Sequence, residues 1–291
     1  MKRGVGEQVG HTTIVVVLFF ASILTIYPFW HVLMYSLSDS AKAMEGGIFL
    51  WPKGFGLGQY KILLGARNAF VSLRNSLLRV CIGVPFNLIM TSSLAYALSR
   101  RDLVGRNAMN TMIFLTMLFS GGLIPSFLLM RTLGLYDNPL IYILPGAISA
   151  YNMFVMKTYF LSLPEELEES ALIEGAGPLR ILLHIVLPVS IPVIAAIGMF
   201  SGVSHWNSWF DGMIYVNNQE YMLFQVFLRS MMLDSSYQAL AGSGGLLDVG
   251  ALTEESVKMA AITLSLVPVV IAYPFVHKYY IKGLMIGSIK G

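Results

Sequence analysis

Five carboxylates, Glu165, Glu166, Glu168, Glu169 and Glu174, crowd the first half of one polar stretch running from Leu163 to Pro188 (LPEELEESALIEGAGPLRILLHIVLP). Nothing around them builds a catalytic set. The chain has no HExxH, no Cys/His ligand spacing and no nucleophile elbow. It also lacks a GxxxxGKS phosphate loop, so it cannot cradle ATP itself. His184 and His205 fall at opposite ends of one apolar segment and cannot share a metal. No metal and no cofactor is expected. What the carboxylates offer is a charged surface to set against another surface.

The elements that must position them can be read locally. Ser162 followed three residues later by Glu165 is a capping-box pattern, and Pro164 sits where a first helical turn tolerates proline. The expected helix runs to Glu174 with Leu163, Leu167 and Ala171 on one face. Gly175 and Gly177 then permit a turn that other residues would strain to make. Pro178 can open a second helix carrying Leu179, Ile181 and Leu182. Two short helices at an angle form a knuckle shaped to press into a groove on a partner.

Glu169-Ser170-Ala171, then Gly175, then Ile185-Val186-Leu187-Pro188 resembles the EAA motif of permease subunits of ATP-binding-cassette importers. The one departure is Ser170 where the family usually has alanine, a small-for-small change. The resemblance implies that Glu169, Ser170, Ala171, Gly175, Ile185, Leu187 and Pro188 couple the chain to an ATPase.

Composition agrees with a membrane protein. Of 291 residues 56% are hydrophobic and only 12% charged, against about 25% charged in soluble domains. A net charge of +3 is too small to suggest a nucleic-acid partner. The lone cysteine, Cys81, excludes a disulfide framework and is expected to be a small buried apolar side chain.

Runs free of Asp, Glu, Lys and Arg and long enough to cross a bilayer are Gln8–Ser38, Val80–Ser99, Asn107–Met130, Asn138–Met156, Ile181–Phe210 and Met259–His277. They predict an all-α membrane protein with six transmembrane helices and the knuckle between the fourth and fifth. The first run is too long for a cleaved signal peptide, and no small-x-small site follows it. An even number of spans puts both termini on one side. Arg100, Arg101 and Arg106 in one short loop assign that loop, the knuckle and both termini to the cytoplasm.

Asp39 to Asn68, with Trp51-Pro52, is an extracytoplasmic loop. Arg79 lies deep enough in the second span that it must snorkel, pair or face water. Gly121-Gly122 and Pro125 loosen the third helix, and Pro145-Gly146 breaks the fourth. Pro188 and Pro192 begin the fifth, whose end, His205 to Phe210, is an aromatic cluster suited to the outer headgroup boundary. In the next outer loop, Tyr221 to Leu233 is expected to form an amphipathic interfacial helix, and Gly242-Ser243-Gly244-Gly245 a flexible tip.

The wording SGGLIPSFLL, LGLYDNPL and ILPG is similar to the maltose-type carbohydrate branch of these permeases, and more narrowly to a Gram-positive subgroup handling polysaccharide fragments. Asn75-Ser76-Leu77 resembles the start of the family's five-helix core. The resemblance implies residues 1–68 as an N-terminal helix and loop, and 69–291 as the core with coupling helices 163–182 and tail 278–291. It implies a second homologous permease, two ATPase subunits that bind the ATP, an extracellular solute-binding protein and a bacterial cell membrane. It further implies that Gly242, Ser243, Gly244 and Gly245 meet the binding protein. Gly287, Ser288 and Lys290 would then reach the ATPase interface as a strand-like tail. An importer for another solute, such as an amino acid or peptide, and an ion-coupled transporter are the alternatives. The spans show no acidic series of the kind a proton relay needs.

Overall fold

The computed structural model describes residues 5–47, 50–233 and 253–288. The helices that matter here are α1 (Val5–Ser36), α2 (Ser40–Met44), α3 (Gly58–Gly65), α4 (Arg67–Ser99), α5 (Arg106–Leu118), α6 (Leu123–Thr132), α7 (Ala150–Leu161), α8 (Glu166–Ile173), α9 (Pro178–Val189), α10 (Ile191–Asn207), α11 (Phe210–Tyr215), α12 (Phe224–Leu233) and α13 (Glu254–Ser288). No strand forms among the described residues; a single bridge joins Ser38 to Phe55. The chain divides into two compact units, Met1–Ala69 with Leu228–Val267 and Phe70–Phe227 with Pro268–Gly291.

In the first unit, α1 is apolar around its whole circumference, and its apolar window is fully exposed. Such a helix gains nothing from water and is stable where lipid replaces it. Its last turn is different. Met34 and Tyr35 are buried with Ala43 against Leu33, Leu37 and Met259. Ser36 Oγ bonds Tyr60 Oη at 2.7 Å and accepts from Thr263 Oγ1 at 3.2 Å. The buried Gln59 amide donates to the carbonyls of Ser36 and Ser38, satisfying backbone that α1 leaves open where it ends.

The second unit has two apolar clusters. One gathers Ala95, Tyr96 and Leu98 of α4 with Met153, Met156 and Phe160 of α7, Ala171 of α8, Ile181, Leu182 and Val186 of α9, and Ile197 of α10. The other gathers Leu135, Ile141, Tyr142, Tyr215 and Leu223.

Among the described residues three helices are long and apolar enough to cross a membrane alone, or up to five spans if each of two sharply bent pairs counts once. The second span begins at Arg67 rather than Val80 because the cations that interrupt the run find partners, so the helix continues through them. The third is bent by 117° between α5 and α6. Gly122 lies there at φ +86°, a left-handed value that glycine adopts without a Cβ penalty. The expected fourth span is a 3-10 turn, Pro139–Tyr142, a break at Pro145-Gly146 and the twelve-residue α7. At 1.5 Å per residue α7 is about 18 Å long, short of a bilayer's roughly 30 Å.

The fifth span bends by 84° between α9 and α10. Leu182–Val186 widens into a π turn just before Pro188. Pro188 has no N–H for the carbonyl four residues back, and its ring crowds that carbonyl. Pro192 lies two residues beyond the break at Ser190, in the first turn of α10, where a missing N–H is tolerated. Pro188 therefore marks the break, and Pro192 opens the helix that follows it.

Other expectations are corrected. His205 and Trp206 turn inward and are buried, Trp206 packing on Phe224 with ring centroids 6.4 Å apart, so only part of the aromatic cluster faces outward. Inside a protein their ring area is buried as effectively as in headgroups. The expected interfacial helix starts at Phe224, and Phe224, Phe227, Leu228 and Met231 form a buried stripe. Cys81, expected to be buried, is exposed beside an apolar groove of α4 and α10, where a thiol can behave as a small hydrophobe. The backbone is helical through Gly287 and Ser288 rather than strand-like, since helix closes every peptide bond within the segment. Lys290 and Gly242 to Gly245 lie outside the described residues.

Candidate functional site

The knuckle forms with one local difference from expectation. The capping box is absent. Ser162 ends α7 and donates its hydroxyl to Tyr159 O at 2.7 Å, while Glu165 makes no side-chain cap. Ser162 is engaged by the preceding helix, and α8 starts at Glu166 instead. Its far end is a Schellman motif. Gly175 N–H donates to Leu172 O at 3.0 Å and Ala176 N–H to Ala171 O at 2.9 Å, with Gly175 at φ +81°. Pro178 then opens α9 as expected. Of the expected helix face, Ala171 is buried, Leu163 is packed against the cluster, and Leu167 is exposed.

The motif residues separate into two groups. Ala171, Ile185 and Leu187 pack in or against the apolar cluster shared with α4 and α7. Glu169, Ser170, Gly175 and Pro188 are exposed, and Ser170 Oγ donates back to Glu166 O at 2.7 Å. Beside them stand Ile173, 88% exposed, and Leu179, 68% exposed, one on each side of the turn.

Basic residues of the α4–α5 loop hold the knuckle. Arg100 pairs with Glu168, and Arg101 Nη2 reaches Glu165 Oε1 at 2.8 Å. Arg106 Nε caps the end of α4 through Leu98 O at 2.8 Å. Burial alone would lower the Arg100 guanidinium, but the negative charge of Glu168, with Tyr96 and Asp102, outweighs it and holds the group above its usual range. The loop and the knuckle thus lie at one end of this unit. Their pairing was not legible in the sequence, where the arginines counted only as topology signals.

A polar cavity of about 650 Å³ lies among α4, α6, α7, α10 and α11. Arg79, 7% exposed, donates through Nη2 to Asp211 Oδ2 at 2.8 Å and through Nε to His205 Nδ1 at 3.2 Å. Its guanidinium lies 5.0 Å from the centroid of the Tyr142 ring. Of the three options for this deep arginine, pairing within the protein is realised and snorkelling is not. Gly83 makes room for the group: a Cβ there would stand 2.9 Å from His205 Cε1.

Asn87 carries out a second repair. Its Nδ2 donates to Gly146 O at 2.9 Å and Ala147 O at 3.2 Å, and its Oδ1 accepts from Ser201 Oγ at 3.1 Å. The carbonyls freed where the backbone breaks after Pro145 are therefore satisfied, as irregular backbone at membrane depth requires. The segments around Asp137 and residues 217–224 are tied down similarly. Asp137 Oδ1 accepts from the Asn217 and Asn218 amides at 3.0 and 2.8 Å. Asn75 donates to Glu220 O and Met222 O, and Ser76 Oγ accepts from Phe224 N–H at 2.8 Å. Asp211 and Asn87 went unnoticed in the sequence. The only hint was that Asp211 directly follows the aromatic cluster.

Comparison with known proteins puts these features in a family. A family model described as "Binding-protein-dependent transport system inner membrane component" matches residues 63–285. The chain is 37% identical over 273 residues to the Bacillus subtilis polygalacturonan/rhamnogalacturonan transport system permease protein YtcP, covering 93% of this chain and 94% of that one. It is 28% identical to the Bacillus subtilis arabinooligosaccharides transport system permease protein AraQ, over 93% and 92% of the two chains. A chain from the crystal structure of a bacterial ABC transporter involved in the import of the acidic polysaccharide alginate superposes with a TM-score of 0.87 at 30% identity, covering 96% of this chain and 99% of that one. This protein is therefore a multi-pass membrane permease of the binding-protein-dependent transport system inner membrane component family.

Proposed function

We propose that this chain is one permease subunit of an ATP-driven importer for an oligosaccharide, forming half of the pathway beside a second, homologous permease. The substrate class rests on relatives named for galacturonan, arabinooligosaccharide and alginate transport. Two ATPase subunits and an extracellular binding protein complete the assembly. The chain catalyses no bond chemistry and binds no cofactor; its partners bind the ATP.

The knuckle, residues 163–182, is the ATPase docking element. The observation that carries this reading is the exposed pair Ile173 and Leu179 flanking the Gly175 turn beside Glu169. In this reading Glu169, Ser170 and Gly175 meet the ATPase, while Ala171, Ile185, Leu187 and Pro188 carry the movement into the cluster shared with α4 and α7. ATP-driven closure of the ATPases moves the knuckle, and the helices packed on it alternate the cavity between the two sides. Six spans, with residues 139–161 as the fourth, leave both termini cytoplasmic. Residues 1–68 form a peripheral helix and loop, and 69–291 the permease core. Gly287, Ser288 and Lys290 in the tail 278–291 contact the ATPases, and Gly242, Ser243, Gly244 and Gly245 contact the binding protein.

The test is co-purification with the ATPase after Glu169→Lys. Reversing a charge at the centre of an interface is expected to weaken docking by at least about thirtyfold. A variant that assembles and transports at the wild-type rate would remove the knuckle from the docking site.

A further inference from the structure

The loop that follows α1 turns back beside it. Lys53 to Gly56 is fastened to the helix end. Asp39 N–H donates to Lys53 O at 3.0 Å, Lys53 N–H to Ser38 Oγ at 3.1 Å and Gly56 N–H to Leu37 O at 3.0 Å. Three residues before Lys53, Leu50 O accepts the indole N–H of Trp30 at 3.0 Å. Trp30 lies on α1 six positions before its last residue, Ser36, about 9 Å down the axis at 1.5 Å per residue. Three extended residues cover about 10 Å. The stretch from Lys53 back to Leu50 therefore descends alongside the helix instead of standing away from it.

The apolar run of α1 fixes what surrounds that tip. Gly10–Ser36, 27 residues, spans about 40 Å, the thickness of a bilayer with its headgroups. Ser36 then lies at the water edge, and Trp30, about 9 Å further in, near the depth where headgroups meet hydrocarbon. The tip carries side chains suited to that depth: Trp51 is 77% exposed and Leu50 62%. Tyr27 and Trp30 stand exposed on α1 beside them. Tyr and Trp collect at this boundary because the ring sits in apolar surroundings while its polar edge reaches the headgroups. The Leu50 carbonyl, carried below the water edge, has its partner in Trp30, as backbone there requires.

We propose that Leu50 and Trp51, tethered by Trp30, are a membrane anchor that inserts into the interfacial zone of the leaflet on the loop's side. The partner is a lipid surface, because the tip continues the exposed apolar surface of α1 and holds no charge from Leu50 to Pro52. The next charge, Lys53, folds back through Nζ onto Gly46 O at 2.5 Å. Such an anchor fixes the depth of α1, which an apolar run alone does not set.

The experiment uses the permease purified with its partner subunits and placed in proteoliposomes, in a Cys81→Ala background. One nitroxide-labelled cysteine is introduced at a time, Trp51→Cys or, as the water-side reference in the same loop, Glu45→Cys. Power-saturation electron paramagnetic resonance compares collision with oxygen, which concentrates in lipid, and with a water-soluble nickel chelate. Oxygen is expected to dominate at position 51 and nickel at position 45. Trp30→Phe keeps a ring but drops the N–H, and is expected to lower the oxygen-to-nickel ratio at position 51 by about twofold to tenfold, the worth of one hydrogen bond. Nickel dominating at position 51 would mean that the tip stands in water, which overturns the anchor. Weak collision with both reagents would mean that a protein covers the tip, and overturns it equally. An unchanged ratio in Trp30→Phe overturns the tether.

Discussion

Arg79 Nη2 and Asp211 Oδ2 stand 2.8 Å apart although 132 positions separate them along the chain. Arg79 lies on α4, and Asp211 on the short helix that follows α10. The pair joins α4 to α11 at the wall of a polar cavity, with His205 and the Tyr142 ring against the guanidinium.

That arrangement separates a pair's presence from its balance. Asp211→Ala alone leaves Arg79 buried and uncompensated, and is expected to destabilise the permease by about 3 kcal/mol. Arg79→Met with Asp211→Leu removes both charges and should cost far less. Thermal unfolding of the purified complex compares the two, and equal losses would show that the ion pair is not what matters there.

The link between Arg100 and Glu168 is partly exposed, so its energetic value is small, about 0.5–1 kcal/mol. Its consequence is positional. Arg100→Glu is expected to speed hydrogen exchange of the α8 amides by roughly threefold to fivefold. The swap Arg100→Glu with Glu168→Arg should restore protection. A swap that exchanges as fast as the single variant would dismiss the contact as a tether.

Gly175 tests the turn between the two knuckle helices. An added Cβ would meet nothing within 4 Å, so the cost of Gly175→Ala is purely that of holding φ +81°. That cost is about 1–2 kcal/mol, and asparagine, which visits this region more readily, should cost less. Stimulated ATP hydrolysis by the assembled importer should fall in the order glycine, asparagine, alanine. A flat series would mean the turn can be remade without consequence.

Orientation has its own measurement. In a Cys81→Ala background, Glu45→Cys and Leu240→Cys should react with an impermeant thiol reagent applied outside intact cells. Leu103→Cys and Ser170→Cys should not. Reaction at position 170 would invert the topology and take the knuckle away from the ATPases.

The sequence by itself determined what is set by neighbours along the chain. Apolar runs announced a multi-pass helical protein, because a bilayer demands length and apolarity that one strand of text displays. The Gly175 turn and the Pro178 start were legible because a left-handed residue and a fixed φ are local properties. The EAA resemblance agreed with the family that the comparisons show. What failed locally was competition: Ser162 had two helices to serve and served the earlier one.

The tertiary structure alone decided where the breaks go and who repairs them. Gly122 and the Pro188–Pro192 pair were visible as weak points, but bends of 117° and 84° depend on what the freed segments pack against. Asn87 meeting the Gly146 and Ala147 carbonyls, Arg100 meeting Glu168, and Arg79 meeting Asp211 are all long-range pairings. Asn87 and Asp211 each satisfy a buried group that has little water to turn to, and Glu168 answers an arginine that is only partly exposed. Such partners are chosen by proximity in the folded chain, which residue order does not display.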